Sequence, residues 1–189
     1  KPGTYKVVFR WKGHKDSTSV KVHSDPRMEW DVAADEEARV AMRRGMELID
    51  AADKSFTLLR EAKEAIGRVK TGLENVPDSI ADPIHKGAKA LSDSISRFQH
   101  EMRTPQNFKG IDGEVRLTDW LWRSVMYLDE GSPANQNSEY AYAAGRQRIG
   151  DWIDRINAFM AGPWVEWMEK VETVEWTPVP AWEPLKIED

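Results

Sequence analysis

A helical bundle that holds two metal ions between carboxylates needs a glutamate and a histidine three residues apart on each of two helices. That spacing sends both side chains from one helix face into the core. The chain has four histidines, His14, His23, His85 and His100, and none has a glutamate three residues before it. His85 follows Asp82 at this spacing, but Asp82-Pro83 reads as a helix start: an acceptor side chain at the cap, then proline where its missing N–H costs nothing. His100-Glu101 opens like a His-Glu-x-x-His zinc site, yet Thr104 stands where the second histidine must be. There is no Gly-x-Ser-x-Gly elbow, no phosphate loop and no cysteine, which removes the thiol nucleophiles. The 32 carboxylates include no pair that spacing singles out for acid/base work. The sequence therefore offers no catalytic residue, no metal ligand and no cofactor site, and a non-catalytic role is expected.

Nine tryptophans are the other residues with chemistry to offer: large apolar area with one polar edge, a combination enriched at interfaces. Most are expected to fill space between long helices. Trp120 and Trp122 cannot both face inward on one helix, so one of them is a contact candidate. Trp176 and Trp182, in a tail with three prolines between Pro178 and Pro184, are the others. That tail is expected to lie extended along the helices.

The elements that must position these residues follow from periodicity. Tyr5, Val7, Phe9 and Trp11 alternate with mostly polar neighbours, a half-buried strand. Lys12-Gly13-His14 supplies a turn, and Val20 and Val22 a second strand ending at Asp25-Pro26. Two strands alone are marginal in water, so the hairpin must lean on the helices or on further strands. From near Met28 to Val76, Met42, Ile49, Ala52, Phe56, Leu59, Ile66, Val69 and Leu73 form one helical stripe, about 70 Å long at 1.5 Å per residue. A second helix is expected from Asp82 to before Pro105, carrying Ile84, Ala88, Leu91, Ile95, Phe98 and Met102. A third is expected after a Thr118 cap, with Leu121, Val125 and Leu128 inward. A fourth begins near Ser138 with Tyr142, Ile149, Ile153, Ile156 and Met160. It must kink or restart at Gly162-Pro163 before Trp164, Met168 and Val171 continue it. The fold expected is mainly α: an antiparallel up-down bundle of about four helices over residues 26–189, entered through a β-hairpin at residues 1–25.

With 27 Lys and Arg against 32 Asp and Glu, the net charge is −5, and the signs are interspersed along the helices. A basic nucleic-acid footprint is therefore not expected. No apolar run reaches the ~20 residues of a spanning helix. The chain opens on Lys1 and moves at once into strand, so it is expected to be cut from something longer.

The opening Pro2-Gly3-Thr4-Tyr5-Lys6-Val7, the strand Ser19-Val20-Lys21-Val22, the junction Asp25-Pro26-Arg27 and the close from Ile156-Asn157-Ala158-Phe159 to Trp182-Glu183-Pro184-Leu185 resemble the C-terminal region of exported bacterial sortilin-like, BNR-repeat β-propeller proteins. In that family a propeller precedes an Ig-like domain whose last strands hand over to a helical segment. The resemblance implies an extracytoplasmic location and makes residues 1–25 the final hairpin of the Ig-like domain. Partners would be the upstream domains, with another protein or a glycan as further candidates and no nucleic acid. The propeller that carries the family's glycosyl hydrolase label lies outside this chain, so no catalytic residue is carried over. The expected function is an accessory or interaction domain. The alternative is a helical lid that contributes to a glycoside hydrolase or carbohydrate site, and a dimer, if formed, is expected to pair hairpin edges.

Overall fold

The computed structural model describes residues 1–27, 31–105, 108–110, 113–127 and 135–174. Strands β1 (Gly3–Trp11) and β2 (His14–Val22) pair antiparallel, Trp11 opposite His14 and Gly3 opposite Val22. The turn is the two residues Lys12 and Gly13, with φ of 44° and 82°. A two-residue hairpin turn with both central φ values positive matches the right-handed strand twist. Gly13 adopts this without penalty, whereas Lys12 carries about 1–2 kcal/mol. Lys12→Asn is therefore expected to slow amide hydrogen exchange across the hairpin, and unchanged exchange would show that the turn is not what limits it.

Helix α1 (Val32–Gly72) is about 61 Å long. Asp31 caps it, its carboxylate accepting from the Ala33 N–H at 2.8 Å and the Ala34 N–H at 3.1 Å. It ends at Leu73, whose N–H reaches the Val69 carbonyl, a few residues before Val76. Helix α2 (Asp78–Met102) begins a turn earlier than Asp82, so the capping role expected of Asp82 is corrected. The Pro77 carbonyl accepts from Ile80 and Ala81, and the added turn buries Ala81. Pro83 lies inside the helix on its exposed side, where the lost hydrogen bond faces water. Helix α3 (Leu117–Met126) starts after Arg116, not Thr118, because the Asp119 carboxylate turns back to the Arg116 N–H at 2.8 Å. Helix α4 (Gln136–Phe159) is capped by Asn135, whose side chain accepts from the Ser138 N–H at 3.0 Å while the Ser138 hydroxyl accepts from the Asn135 N–H at 3.0 Å.

Between α4 and α5 (Val165–Glu172) the chain makes one π-helical turn, Met160–Trp164, containing Pro163. The consequence is a shift of phase. On α4 the buried positions Ile149, Trp152, Ile156 and Phe159 step by three and four, which in an unbroken α-helix would next bring 163 and 166 to the core. A π turn holds one extra residue. The inward positions become Trp164, half-buried, and Trp167, buried, so Met168 is turned toward solvent and its expected core role is corrected. The chain continues as one helical rod, and the kink expected at Gly162-Pro163 takes the form of this turn.

The mainly α fold with an N-terminal hairpin is as expected, and the rods form three columns. Phe56 lies under Arg103, and Lys63 reaches Ser96, so α2 runs antiparallel to α1. Gly45 meets Val125, and Trp120 meets Gly145 and Arg148, so α3 continues the direction of α2 beside the first half of α1. The α4–α5 rod runs parallel to α1, Arg44 pairing with Glu139 and Leu48 meeting Gly145. The core divides accordingly. Ala52, Leu59, Ile66 and Leu73 recur every seven residues against α2, with Trp152, Ile156 and Trp167 completing the layer. At the other end, small residues Ala38, Ala41, Gly45, Ser124, Ala141 and Gly145 let the backbones approach closely. This close approach leaves Met42, expected in the core, 38% exposed on the rim.

Candidate interaction surfaces

The hairpin is exposed on both faces. In an antiparallel pair, residues directly opposite share a face. The register therefore places Tyr5, Val7, Phe9 and Trp11 with Val20 and Val22 on one side, and Lys6, Val8 and Arg10 with Lys15 and Lys21 on the other. Phe9 is 64% and Trp11 61% exposed. Alternation that on sequence grounds should half-bury a strand thus gives an apolar sheet face that no described residue covers. The hairpin meets α1 at its base, where the Lys1 ammonium donates to Glu36 at 2.9 Å. That bond raises the Lys1 pKa and lowers that of Glu36. The Tyr5 hydroxyl donates back to the Lys1 carbonyl. The junction is braced by Asp25, which accepts from the Arg27 N–H at 3.0 Å and from its guanidinium at 2.6 Å, and these bonds hold its carboxyl below the usual range.

Charge is not evenly spread. Residues 1–24 hold Lys1, Lys6, Arg10, Lys12, Lys15 and Lys21 against Asp16 alone, so they carry +5 within a chain of −5, and residues 25–189 carry −10. The interspersion expected of the charges describes the helices and not the hairpin. The signal was present in the strand alternation, but averaging over a long acidic chain conceals it.

Of the tryptophans singled out from the sequence, Trp122 is 68% exposed on α3 and forms, with Met42, Val125 and Met126, a shallow apolar cleft edged by Asp119 and Arg123. Trp120 is half-buried under two guanidinium groups, Arg148 at 4.0 Å and Arg123 at 5.1 Å from its ring centroid. Trp176, Trp182, Trp30, Leu128 and the Gly131-Ser132-Pro133 turn lie outside the described residues. Trp152 and Trp167 are buried, and each spends its indole N–H on a carbonyl of α2, Phe98 at 3.2 Å and Ile84 at 3.1 Å.

Two further clefts bear on chemistry. Between α1 and α2, His100 stands with Arg60, Lys63 and Arg103 over Phe56, and among the described residues no carboxylate lines the space. Beside α4, Glu139, Asp151 and Asp154 line an open cleft with Arg44 and Tyr142, and among the described residues no tryptophan fringes it. Asp82 is exposed and His85 half-buried. Among the described residues no three His, Asp or Glu side chains are grouped to hold a metal ion, and no helix is long and apolar enough to cross a membrane. Compared with known protein families, curated proteins and solved structures, the chain matches none of them.

Proposed function

We propose that the chain is a non-catalytic accessory module of a larger exported protein, in which the hairpin completes the β-layer of an upstream Ig-like domain and the three-column bundle projects from it as a rigid docking or spacing arm. The observation that carries this reading is the uncovered apolar face of Tyr5, Val7, Phe9 and Trp11. Contiguous apolar surface of that kind marks a contact site, and an isolated hairpin is marginal in water. Covering it with a second apolar sheet would bury the part of each aromatic side chain still open, about half of the roughly 150–250 Å² that such a side chain buries in full. The Asp25-Pro26-Arg27 junction suits the role, because the Asp25–Arg27 bonds and the proline stiffen the chain just after the second strand.

The test is amide hydrogen exchange on this chain and on a longer chain that includes the upstream domains. In the short chain residues 3–22 are expected to exchange far faster than α1 and α2. In the longer chain they should become protected and the Trp11 emission should shift to the blue. Equal, fast exchange in both chains would remove the proposed docking. Hydrolysis of a polysaccharide panel by the short chain alone would replace the accessory reading with the enzymatic one. A dimer that survives removal of residues 1–25 would show that hairpin edges are not its contact.

A further inference from the structure

We infer that the second face of the hairpin, carrying Lys6, Arg10, Lys15 and Lys21, binds an anionic polysaccharide. This goes beyond the docking proposed above and does not depend on it, because it uses the opposite side of the same two strands.

Four cations share this face and no acid does: Asp16, the hairpin's only carboxylate, is registered opposite Phe9 on the apolar side and accepts from the Ser17 N–H at 2.8 Å. Arg10 and Lys15 stand directly opposite one another. At that position Cβ atoms are about 5 Å apart, and like charges destabilise the pair. Lys21 is opposite Thr4, which places it diagonal to Lys6, about 7–8 Å away. Along β1 Lys6 and Arg10 are four residues apart, roughly 13–14 Å, and along β2 Lys15 and Lys21 are six residues apart, roughly 20 Å. Between and beside them the face presents the hydroxyls of Thr4, Ser17 and Ser19, with Val8 opposite Ser17 as its one apolar side chain. Spaced positive charge with hydroxyl groups between matches a chain of sugar hydroxyls that bears carboxylates or sulfates at intervals.

Nucleic acid fits less well. Single strands are held by aromatic rings beside the cations that track the backbone, and here Tyr5, Phe9 and Trp11 lie on the opposite face. Duplex DNA carries a charge every 1.7 Å or so, and the −10 of residues 25–189 adjoins the hairpin through Lys1 and Glu36. A sparse polyanion meets far less of that repulsion.

The experiment titrates the chain with polygalacturonate at low ionic strength, with duplex DNA and anionic phospholipid vesicles as parallel arms. Polygalacturonate is expected to bind, to weaken steeply with added salt, and to bind about tenfold or more weakly to the variant Lys6→Gln/Arg10→Gln/Lys15→Gln/Lys21→Gln. Lys86→Gln/Lys89→Gln, on α2, should leave binding unchanged. A second readout guards against loss of the hairpin in the fourfold variant: bound polygalacturonate should shield Lys6, Lys15 and Lys21 of the wild-type chain from acetylation, but not Lys86 or Lys89. No binding would leave the cations as guards against edge pairing and overturn the proposal. Binding without protection of the three lysines, or tighter binding to DNA or vesicles, would overturn it equally.

Discussion

Trp152→Ala is expected to cost about 3–5 kcal/mol of unfolding free energy, the largest effect of any single truncation in the bundle. Trp152 is fully buried where α4 meets α1 and α2, beside Ile149, Ile156 and Phe159. Truncation would open a cavity of indole size in a region that long helices hold apart, so little of it could collapse. It would also remove the hydrogen bond that the Phe98 carbonyl accepts from the indole N–H at 3.2 Å. Trp152→Phe separates the two contributions: the ring still fills much of the space, and loss of the hydrogen bond alone should cost about 1–2 kcal/mol. Urea unfolding followed by circular dichroism reads both. Trp122→Ala, on the exposed side of α3, should change stability by less than about 0.5 kcal/mol. Equal losses at 152 and 122 would mean that the core is not where the structure places it.

Gly87→Ala should destabilise the protein by about 1–3 kcal/mol, against the usual sign. In the interior of a helix alanine is ordinarily better than glycine by about 1 kcal/mol. Here an added Cβ would lie 2.7 Å from Cδ1 and 3.4 Å from Nε1 of Trp167. Trp167 cannot swing away, because it is buried and its N–H is bound to the Ile84 carbonyl one turn earlier on the same helix. Gly67→Ala supplies the control: nothing stands within 4 Å of its added Cβ, and it should stabilise α1 by the ordinary helix-propensity gain. Trp167→Phe in the Gly87→Ala background should recover part of the loss, and a double-mutant cycle would show coupling between the two positions. A stabilising Gly87→Ala would disprove the close contact between α2 and α5.

That contact exists only because of the π turn at Met160–Trp164. The α4 stripe carried unbroken across Pro163 would bring Glu166 to the core, and the extra residue in the turn brings Trp167 there instead, with Met168 left exposed. The turn is thus a register device as well as a way to accommodate proline, and it sets which face of α5 reaches Gly87.

The sequence by itself determined the element types and most of the stripes: strand alternation at Tyr5 to Trp11, the heptad-like spacing from Ala52 to Leu73, the α2 pattern from Ile84 to Met102, and the tight turn at Gly13. These are local properties, fixed by side-chain period and backbone preference within a few residues. It also held the unequal charge of hairpin and helices, which becomes visible once the first 24 residues are counted apart from the rest. What the tertiary structure decided is where a local rule met a competing contact. Helix α2 began before Asp82 because an extra turn buries Ala81. Met42 moved to the rim because Gly45 lets α3 come close, and Trp152 displaced Ile153 from the centre because its N–H finds the Phe98 carbonyl. The hairpin shows the same division most plainly: alternation dictated that one face of β1 be apolar, but only the arrangement of the helices, which pack on one another, decided that no described residue covers this face.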